Sequence, residues 1–350
     1  MLWNTKPQFK TGVLEDPRTE EERKQDYLAS EVMIKSPIVM YKNYNDWLQT
    51  NAANWMKILP IHDQNGSSSC VSQACAMVAT ILNALEEGTV IPFSARWIYA
   101  KRMNRPIEGM FLNDAAQLLI DNGTLMDILV PGNNKTEQQM NELSEYNIDS
   151  FKTIAKLYAP SAYFWVDNDI DSFAQILAKG TPMLMAVRFG NNEWNKDIPT
   201  INDSEPKYAH AITALPHSYF SYNGKPAIMI ADSWGINNGM KGYRIITKDW
   251  FDQGRVFAGI WFVDLKNPTV STITAFKFEK DLGYGSIGED VRKLQEVLKN
   301  KYQLFKLELT GNYYGYTMAC VKELQKLKGI EQTGYFGPLT RAAVNKDLKA

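Results

Sequence analysis

The chain has 350 residues, enough for about two domains with buried cores. Lys and Arg number 38 against 39 Asp and Glu, and a net charge of −1 supplies no positive field to gather nucleic acid or anionic lipid. The 45% hydrophobic and 22% charged residues are typical of soluble globular proteins. Apolar runs are too short to cross a bilayer, so we expect neither a nucleic-acid partner nor a membrane span.

Residues 1–50 are predicted to form an irregular N-terminal arm, because they are charged and punctuated by Pro7, Pro17 and Pro37. No helical prosegment is evident in them. They also contain no apolar run of signal-peptide length, which predicts synthesis in the cytoplasm without a signal peptide.

The next part is predicted to be mainly helical. Apolar residues recur at helical spacing over about 70–86, and Gly88 follows as a stop. A second helix is predicted over about 113–123, capped by Asn113, and a third over about 169–180.

After residue 180 the pattern changes to strands. Asn223-Gly224 is a hairpin-turn signal between two of them. The predicted strands lie in the runs MLMAVRF, HAITAL, AIMIADSW, YRIIT and FAGIWFV. Helices first and strands later favour an α+β fold, with a helical lobe and an antiparallel sheet lobe on either side of a cleft.

A linker is predicted over 266–283, followed by a small all-α domain over 284–350 that contains an internal repeat. Each copy has a Gly turn, an aromatic residue and a helix that opens near a Thr, with an offset of 23 residues. The matching positions are Gly311, Tyr313 and Thr317 in the first copy and Gly334, Phe336 and Thr340 in the second.

Cys70 is a candidate nucleophile, because it opens a helix after a polar, turn-rich segment. Orphan N–H groups and the helix dipole at that end favour the reactive thiolate. Cys75 and Cys320 lie on apolar helix faces and are expected to be buried and inert. The alternative, that Cys70 is also a small buried hydrophobe, stays open on this pattern alone. Three cysteines do not suggest a disulfide framework.

His210 and Asp232 are candidate partners of Cys70. His210 opens a predicted strand, and Asp232 follows another, where its carboxylate could accept the imidazole N–H. His62 and His217 lie in turn-like contexts and are expected to be solvated. The sequence has no metal-binding or phosphate-binding motif, so no metal and no cofactor are predicted.

These motifs resemble those of the papain-like cysteine peptidases over about 51–265. Gln64, six residues before Cys70, resembles the family's oxyanion-hole Gln. His210-Ala211 resembles its His-Ala pair, and Asp232-Ser233-Trp234-Gly235 resembles its Asn-Ser-Trp-Gly element. Glu108-Gly109 resembles the Gly-bearing stretch that borders the cleft.

The resemblance implies a two-lobed papain-like domain that cleaves peptides. It assigns catalytic roles to Cys70, His210, Asp232 and Gln64, and substrate-binding roles to Gly109 and Trp234. Asp232 stands where the family usually has Asn. It keeps an acceptor for the imidazole and adds a charge that favours imidazolium, and an Asn at this position is expected to remain active.

The repeat around Thr333–Thr340 resembles the three-helix peptidoglycan-binding domain, which implies the bacterial cell wall as a partner. Together the two resemblances predict a cysteine endopeptidase that cleaves peptidoglycan peptides. A phage lysin or virion-associated hydrolase fits best, acting at the wall after lysis or as a virion component. The alternatives are a protein-cleaving peptidase anchored to the wall and a catalytically silent binding or structural protein.

Overall fold

A computed structural model describes residues 11–24, 26, 28–32, 38–146, 148–203, 205–263, 276–302, 304–305 and 309–349. Pro7, Pro37 and residues 266–275 of the predicted linker lie outside the described residues.

Part of the predicted arm is built into the folded body. Its elements are β1 (Val13–Leu14), α1 (Glu20–Arg23), α2 (Ala29–Val32) and α3 (Tyr44–Leu48). Trp47 in α3 is fully buried, and its ring lies 5.2 Å from that of Phe220. The prediction of an irregular arm is therefore wrong for these four elements, and the last of them contributes an aromatic side chain to the core.

The helical lobe surrounds one long buried helix. A 3-10 turn (Asn51–Asn54) precedes its elements, which are α4 (Trp55–Ile58), α5 (Cys70–Glu87), α6 (Ala95–Tyr99), β2 (Met110–Phe111), α7 (Leu112–Asn122), α8 (Glu137–Asn141) and α9 (Ile148–Lys156). All residues from Cys70 to Ala84 are buried, as expected of a helix enclosed on every side. Gly88 ends α5 with φ 68°, and its N–H donates to Ala84 O.

The predicted cap of the second helix is wrong. Leu112 is the first helical residue and Phe111 holds the cap position, because the chain passes directly from β2 into α7. Asn113 therefore lies inside the first turn.

The sheet lobe is an antiparallel sheet of six strands in the order β3-β8-β4-β5-β6-β7. Its elements are β3 (Ala162–Val166), α10 (Ile170–Ala178), β4 (Met183–Phe189), β5 (Tyr208–Tyr222), β6 (Lys225–Ala231), β7 (Tyr243–Thr247), α11 (Lys248–Asp252) and β8 (Val256–Val263). The Asn223-Gly224 hairpin is confirmed, with φ values of 49° and 78°. Together with the helical lobe, this sheet confirms the α+β fold.

Strand β3 is not predicted by the sequence pattern. Its residues do not alternate, and of the five only Val166 is buried, so its pairing with β8 at the sheet edge is a tertiary effect. The centre of the sheet packs on the helical lobe, where Thr213 Oγ1 in β5 donates to Ala74 O in α5 at 3.1 Å. This hydrogen bond sets the position of α5 along β5.

The C-terminal helical unit contains α12 (Glu289–Asn300), α13 (Gly315–Leu327) and α14 (Pro338–Lys349). A buried glutamine connects each repeat to the next Gly turn and the next helix. Gln295 accepts from Gly311 N and donates to Thr317 Oγ1, whereas Gln325 accepts from Gly334 N and donates to Thr340 Oγ1. The internal repeat is therefore present in the hydrogen bonds as well as in the sequence.

The described end of the predicted linker is packed rather than extended. Phe278 is buried, its ring lies 5.0 Å from that of Phe336, and its N–H donates to Asn345 Oδ1. Residues 276–283 thus belong to the C-terminal helical unit. The unit also contacts the helical lobe, where the hydroxyls of Tyr158 and Tyr316 are 3.1 Å apart.

Candidate active site

Cys70 is the first residue of α5 and is fully buried. The chain reaches it through a turn at Asn65-Gly66, with φ values of 47° and 70°. Ser67 Oγ donates to Gln64 O at 2.6 Å and holds this turn closed. The sulfur therefore lies at the positive end of a buried helix.

His210 lies near the start of β5, opposite Val187 of β4, and is fully buried. Its Nε2 is hydrogen-bonded to Asp232 Oδ1 at 2.7 Å. Asp232 directly follows β6, which pairs with β5, so the sheet register brings the two side chains together. Trp234 covers the imidazole, with ring centroids 5.0 Å apart. The structure thus brings His210, Asp232 and Trp234 together, and the Cys70 side chain acts on the imidazole of His210.

The electrostatics favour an imidazolium beside a carboxylate. Burial lowers the pKa of His210, but the charge and hydrogen bond of Asp232 outweigh it, with a smaller contribution from Cys70, and raise the pKa to about 9. Burial likewise raises the pKa of Asp232, but His210 and then Arg244 reverse this and hold it well below its usual value. His210 is therefore protonated at neutral pH.

The other two thiols are chemically quiet, as predicted. Cys75 and Cys320 are fully buried, and burial raises the pKa of each well above the ordinary value. Both are therefore thiols at neutral pH, and the described cysteines are all free.

Gln64 is buried in the loop before Cys70 and is held at both ends of its amide. Its Nε2 donates to Ser67 O at 2.6 Å, and its Oε1 accepts from Ser233 Oγ at 2.8 Å. Backbone hydrogen bonds join the same two loops, from Gln64 N to Ser233 O at 2.9 Å and from Gly235 N to His62 O at 3.0 Å. The Cys70 loop and the Asp232 loop are thereby fixed relative to each other.

The chain's own residues lie in the cleft over Cys70. Gly12 N donates to Cys70 Sγ at 3.2 Å, and Gly12 O accepts from Met110 N at 2.7 Å. The next residues form β1, which pairs in parallel with β2. A Cβ at Gly12 would lie 1.8 Å from Ser68 O, so only glycine fits. No sequence pattern indicates this covering segment, because it depends on pairing between residues about one hundred positions apart.

Gly109 lies at the cleft, as expected, but its backbone N–H is used elsewhere. It donates to Tyr99 OH at 3.0 Å, while the backbone N–H of Met110 holds the peptide in the cleft. Gly109 has a positive φ of 85°, and a Cβ there would lie 2.8 Å from Gly12 O, which explains why glycine is needed. The role of Met110 is not predicted, because its side chain carries no chemical signal.

Two further polar residues of the site are absent from the prediction. Arg244 in β7 and Trp194 in the loop after β4 both donate to Asp232 Oδ2, at 2.7 Å and 2.9 Å. For Arg244, the available sequence signal is an Arg inside the apolar run YRIIT.

The prediction that His62 is solvated is wrong. His62 is buried with its Nδ1 2.8 Å from Gln73 Oε1, whereas His217 is exposed as expected.

Within the described ranges, no three His, Cys, Asp or Glu side chains are placed to hold a metal ion. Among the helices that the structure describes, none combines the length and apolarity needed to span a membrane.

Comparison with known proteins agrees with both parts of the chain. Residues 287–344 match the family model described as "Putative peptidoglycan binding domain". Xylellain, a cysteine protease from Xylella fastidiosa, is 15% identical with a TM-score of 0.56, covering 76% of this chain and 100% of that one. ProCathepsin B S9 from Trypanosoma congolense is 14% identical with a TM-score of 0.53, covering 73% and 87%. No curated protein sequence matches the chain significantly. The fold is therefore that of the papain-like cysteine proteases, joined to a peptidoglycan-binding domain.

Proposed function

We propose, from a papain-like fold joined to a peptidoglycan-binding domain, that this chain is a cysteine endopeptidase that cleaves the peptides of bacterial peptidoglycan. One observation carries the peptidase assignment. The cleft holds a peptide backbone, that of Gly12, between the Met110 N–H and the sulfur of Cys70. A site that binds peptide backbone beside a buried Cys, His and Asp is suited to acyl transfer.

In the proposed mechanism the Cys70 thiolate attacks the peptide carbonyl carbon. The Cys70 backbone N–H and the Gln64 amide stabilise the oxyanion, and the His210 imidazolium protonates the leaving amine. His210 then accepts a proton from water as the water attacks the thioester, which releases the acid and restores the Cys70 thiolate beside the His210 imidazolium. Asp232 holds the imidazole in orientation throughout. Residues 11–14 must leave the Met110 edge before a substrate can pair there.

The C-terminal unit supports a location at the cell wall. We propose the division 1–50 arm, 51–265 peptidase, 266–283 connection and 284–350 wall-binding domain, with 276–283 packed on the last. A phage lysin or a virion-associated hydrolase fits this combination. It would be made in the cytoplasm and would reach the wall after lysis or as a virion component. Binding to the wall raises the local concentration of substrate without any change in the site.

The test is incubation of the full chain with purified sacculi and, separately, with a denatured protein, with mass spectrometry of both products. We expect new peptide ends in the sacculi with the wild type and with Cys75→Ala, which is the matched control on the same helix. Cys70→Ala should release none. Cleavage of the denatured protein alone would favour a protein-cleaving peptidase anchored to the wall.

A second experiment distinguishes an active cysteine peptidase from a catalytically silent protein of the same fold. An epoxysuccinyl inhibitor should label Cys70 in preference to Cys75 and Cys320, whose pKa values are raised by burial. Deleting 276–350 should abolish sacculus binding and leave hydrolysis of a short fluorogenic peptide intact. Unchanged sacculus binding by the truncated chain would contradict the role of the C-terminal unit.

A further inference from the structure

The carboxylate of Asp232 makes two hydrogen bonds at each oxygen. Oδ1 is 2.7 Å from His210 Nε2 and accepts from Ser233 N at 2.7 Å. Oδ2 accepts from Arg244 Nε at 2.7 Å and from Trp194 Nε1 at 2.9 Å. The three ionisable residues of this set are buried, with exposures of 0% for His210, 3% for Asp232 and 1% for Arg244. The carboxylate is thus clamped between two cationic groups on opposite sides.

Arg244 is an unusual residue for a position inside an apolar strand. It lies in β7 opposite Ile230 of β6, and its guanidinium also donates to Lys196 O. The rings of Trp194 and Trp234 lie 5.3 Å and 5.8 Å from its Cζ. A buried guanidinium needs a counter-charge, and Asp232 is the carboxylate it contacts within the described part of the chain.

An asparagine at this position would not satisfy the same neighbours. Its amide has one acceptor oxygen and one NH2 group, whereas the neighbours of both Asp232 oxygens are donors. Either the His210 side or the Arg244 and Trp194 side would then face an N–H group. The Arg244 charge would also lose its partner. We therefore expect Asp232→Asn to lose activity, contrary to the prediction from the sequence.

We propose that Arg244 is a positioning residue for the proposed hydrolysis. It holds the Asp232 carboxylate against His210 and compensates the negative charge of that carboxylate. Substituting both Asp232 and Arg244 should therefore cost less activity than substituting Asp232 alone. The inference rests on the proposed function for its catalytic consequence, but the charge offset is a property of the folded chain alone.

The charge balance around His210 follows from the groups that face it. Cys70 from α5 and Asp232 after β6 are the titratable groups that act on the imidazole, and Arg244 from β7 acts through Asp232. Aromatic rings cover the rest, those of Phe189, Trp194 and Trp234 at 6.4, 5.8 and 5.0 Å. Next to Trp194 in the chain, Glu193 forms a buried pair with Arg255 at 3.4 Å, and neither residue is substituted in the variants.

The first experiment measures the pKa of His210 by NMR in the full chain labelled at histidine, with exposed His217 as the internal control. Removing the positive charge in Arg244→Met leaves Asp232 unbalanced and should raise the pKa of His210 by about one unit. Asp232→Asn should lower it most, because the Arg244 charge remains. The double variant Asp232→Asn with Arg244→Met should fall between Asp232→Asn and the wild type. If Arg244→Met matches the wild type and the double variant matches Asp232→Asn, the charge offset is refuted.

The second experiment measures kcat/KM against pH with a short fluorogenic peptide. Asp232→Asn should lose about 100-fold, and Arg244→Met about 10-fold with both limbs of the profile moved to higher pH. The double variant should recover at least about 10-fold over Asp232→Asn. A double variant whose loss is the product of the two single losses, with unmoved limbs, would overturn the positioning role.

Two controls keep the outcomes distinct. If Arg244→Met does not fold, Arg244→Gln removes the same charge while keeping a donor for Asp232, and the same order of pKa values applies. If the wild type neither hydrolyses peptides nor reacts with the epoxysuccinyl inhibitor, the proposed function fails, and the NMR series still decides the charge offset.

Discussion

The two parts of the chain bury polar side chains in opposite ways. In the papain-like part, Asp232, His210 and Arg244 form a charged set whose members are all buried. In the C-terminal unit, Gln295 and Gln325 are each 1% exposed and neutral. The side-chain oxygen of each glutamine accepts a hydrogen bond from the N–H of a Gly turn, and its NH2 group donates to Thr hydroxyls and a backbone carbonyl.

The difference indicates that the charged set serves a chemical role, whereas the repeat glutamines serve a structural one. A neutral amide satisfies buried backbone groups at little desolvation cost, and the same arrangement occurs in both repeats. A buried charged set has a large desolvation penalty and contributes little net stability, so its presence points to a task other than folding. Substitutions in the charged set should therefore change rates, with a loss of stability where a buried charge is left without its partner, whereas substitutions of the repeat glutamines should change stability alone.

Cys70→Ala should give the largest effect. Loss of the nucleophile should reduce kcat on the order of 10⁶-fold, by analogy with nucleophile removal in other hydrolases. The free energy of unfolding should change by less than about 1 kcal/mol, because Ala fits the same helical position. Activity assays and denaturant unfolding measure the two values in parallel. A loss of about 2–5 kcal/mol, as for a cavity in the core, would show that Cys70 has a structural role as well.

Gln64→Ala should reduce kcat by about 10²–10³-fold with little change in KM, as expected for loss of one oxyanion donor. Gln64 is as buried as Gln325, at 1% exposure each, so the two provide a matched pair. Steady-state kinetics decide the outcome. A Gln64→Ala enzyme with wild-type kcat would remove this residue from the mechanism.

Gln325→Ala should destabilise the C-terminal unit by about 2–3 kcal/mol, because it leaves Gly334 N and buried hydroxyls without their partner. Gln295→Ala should behave alike, and Gln332→Ala, at an exposed position, should be near neutral. Calorimetry of the full chain measures this. Hydrolysis of a short peptide should be unchanged, and a fall in kcat would show that the two parts are not independent.

The contribution of His210 to the stability of the papain-like part should decrease between pH 7 and 8.5. The pKa of His210 in the folded chain is about 9, above its ordinary value of about 6.5. Its stabilisation is therefore complete below pH 6.5 and is lost as the pH rises through 9, with a slope of up to about 1.4 kcal/mol per pH unit. Gln295 and Gln325 bind no proton in this range. Urea titrations at several pH values should show this slope in the difference between the wild type and His210→Gln.

Gly12→Val should speed the reaction of Cys70 with an alkylating reagent by about tenfold, equivalent to about 1.4 kcal/mol. The added side chain would meet Ser68 O and displace the covering segment from the sulfur. Mass spectrometry of the labelled chain gives the rate, and Cys75 serves as the internal reference. An unchanged rate would mean that the covering segment does not limit access to the thiol.

The sequence predicts what repeats locally and misses what depends on distant partners. The periodicity of α5, the hairpin at Asn223-Gly224 and the internal repeat are all predictable, because each follows from spacing along the chain. Sheet-edge strand β3 is not, since its pairing is decided by β8. The expectation of a solvated His62 fails because the glutamine that binds it is eleven residues away on a helix face.

The site itself divides in the same way. Cys70, His210, Asp232 and Trp234 carry chemical signals in their motifs, and His210 contacts or interacts with the other three. The covering Gly12 and the backbone of Met110 carry none, because their contribution comes from main-chain atoms and from a close approach that only glycine permits. Recognition by main-chain atoms cannot be predicted from side-chain types.

The hydrogen bonds between the Gln64 loop and the Ser233 loop have a kinetic consequence. They connect the segment that carries the nucleophile to the segment that orients the imidazole, although the two come from different lobes. In the proposed mechanism, the entropy of aligning sulfur and imidazole is thereby lost during folding rather than in each catalytic cycle. In intramolecular reactions such alignment corresponds to effective molarities of about 10⁵–10⁸ M, and a displacement of about 1 Å loses about 10²-fold in rate. Two short loops joined by main-chain atoms thus set the effective molarity of the reacting pair.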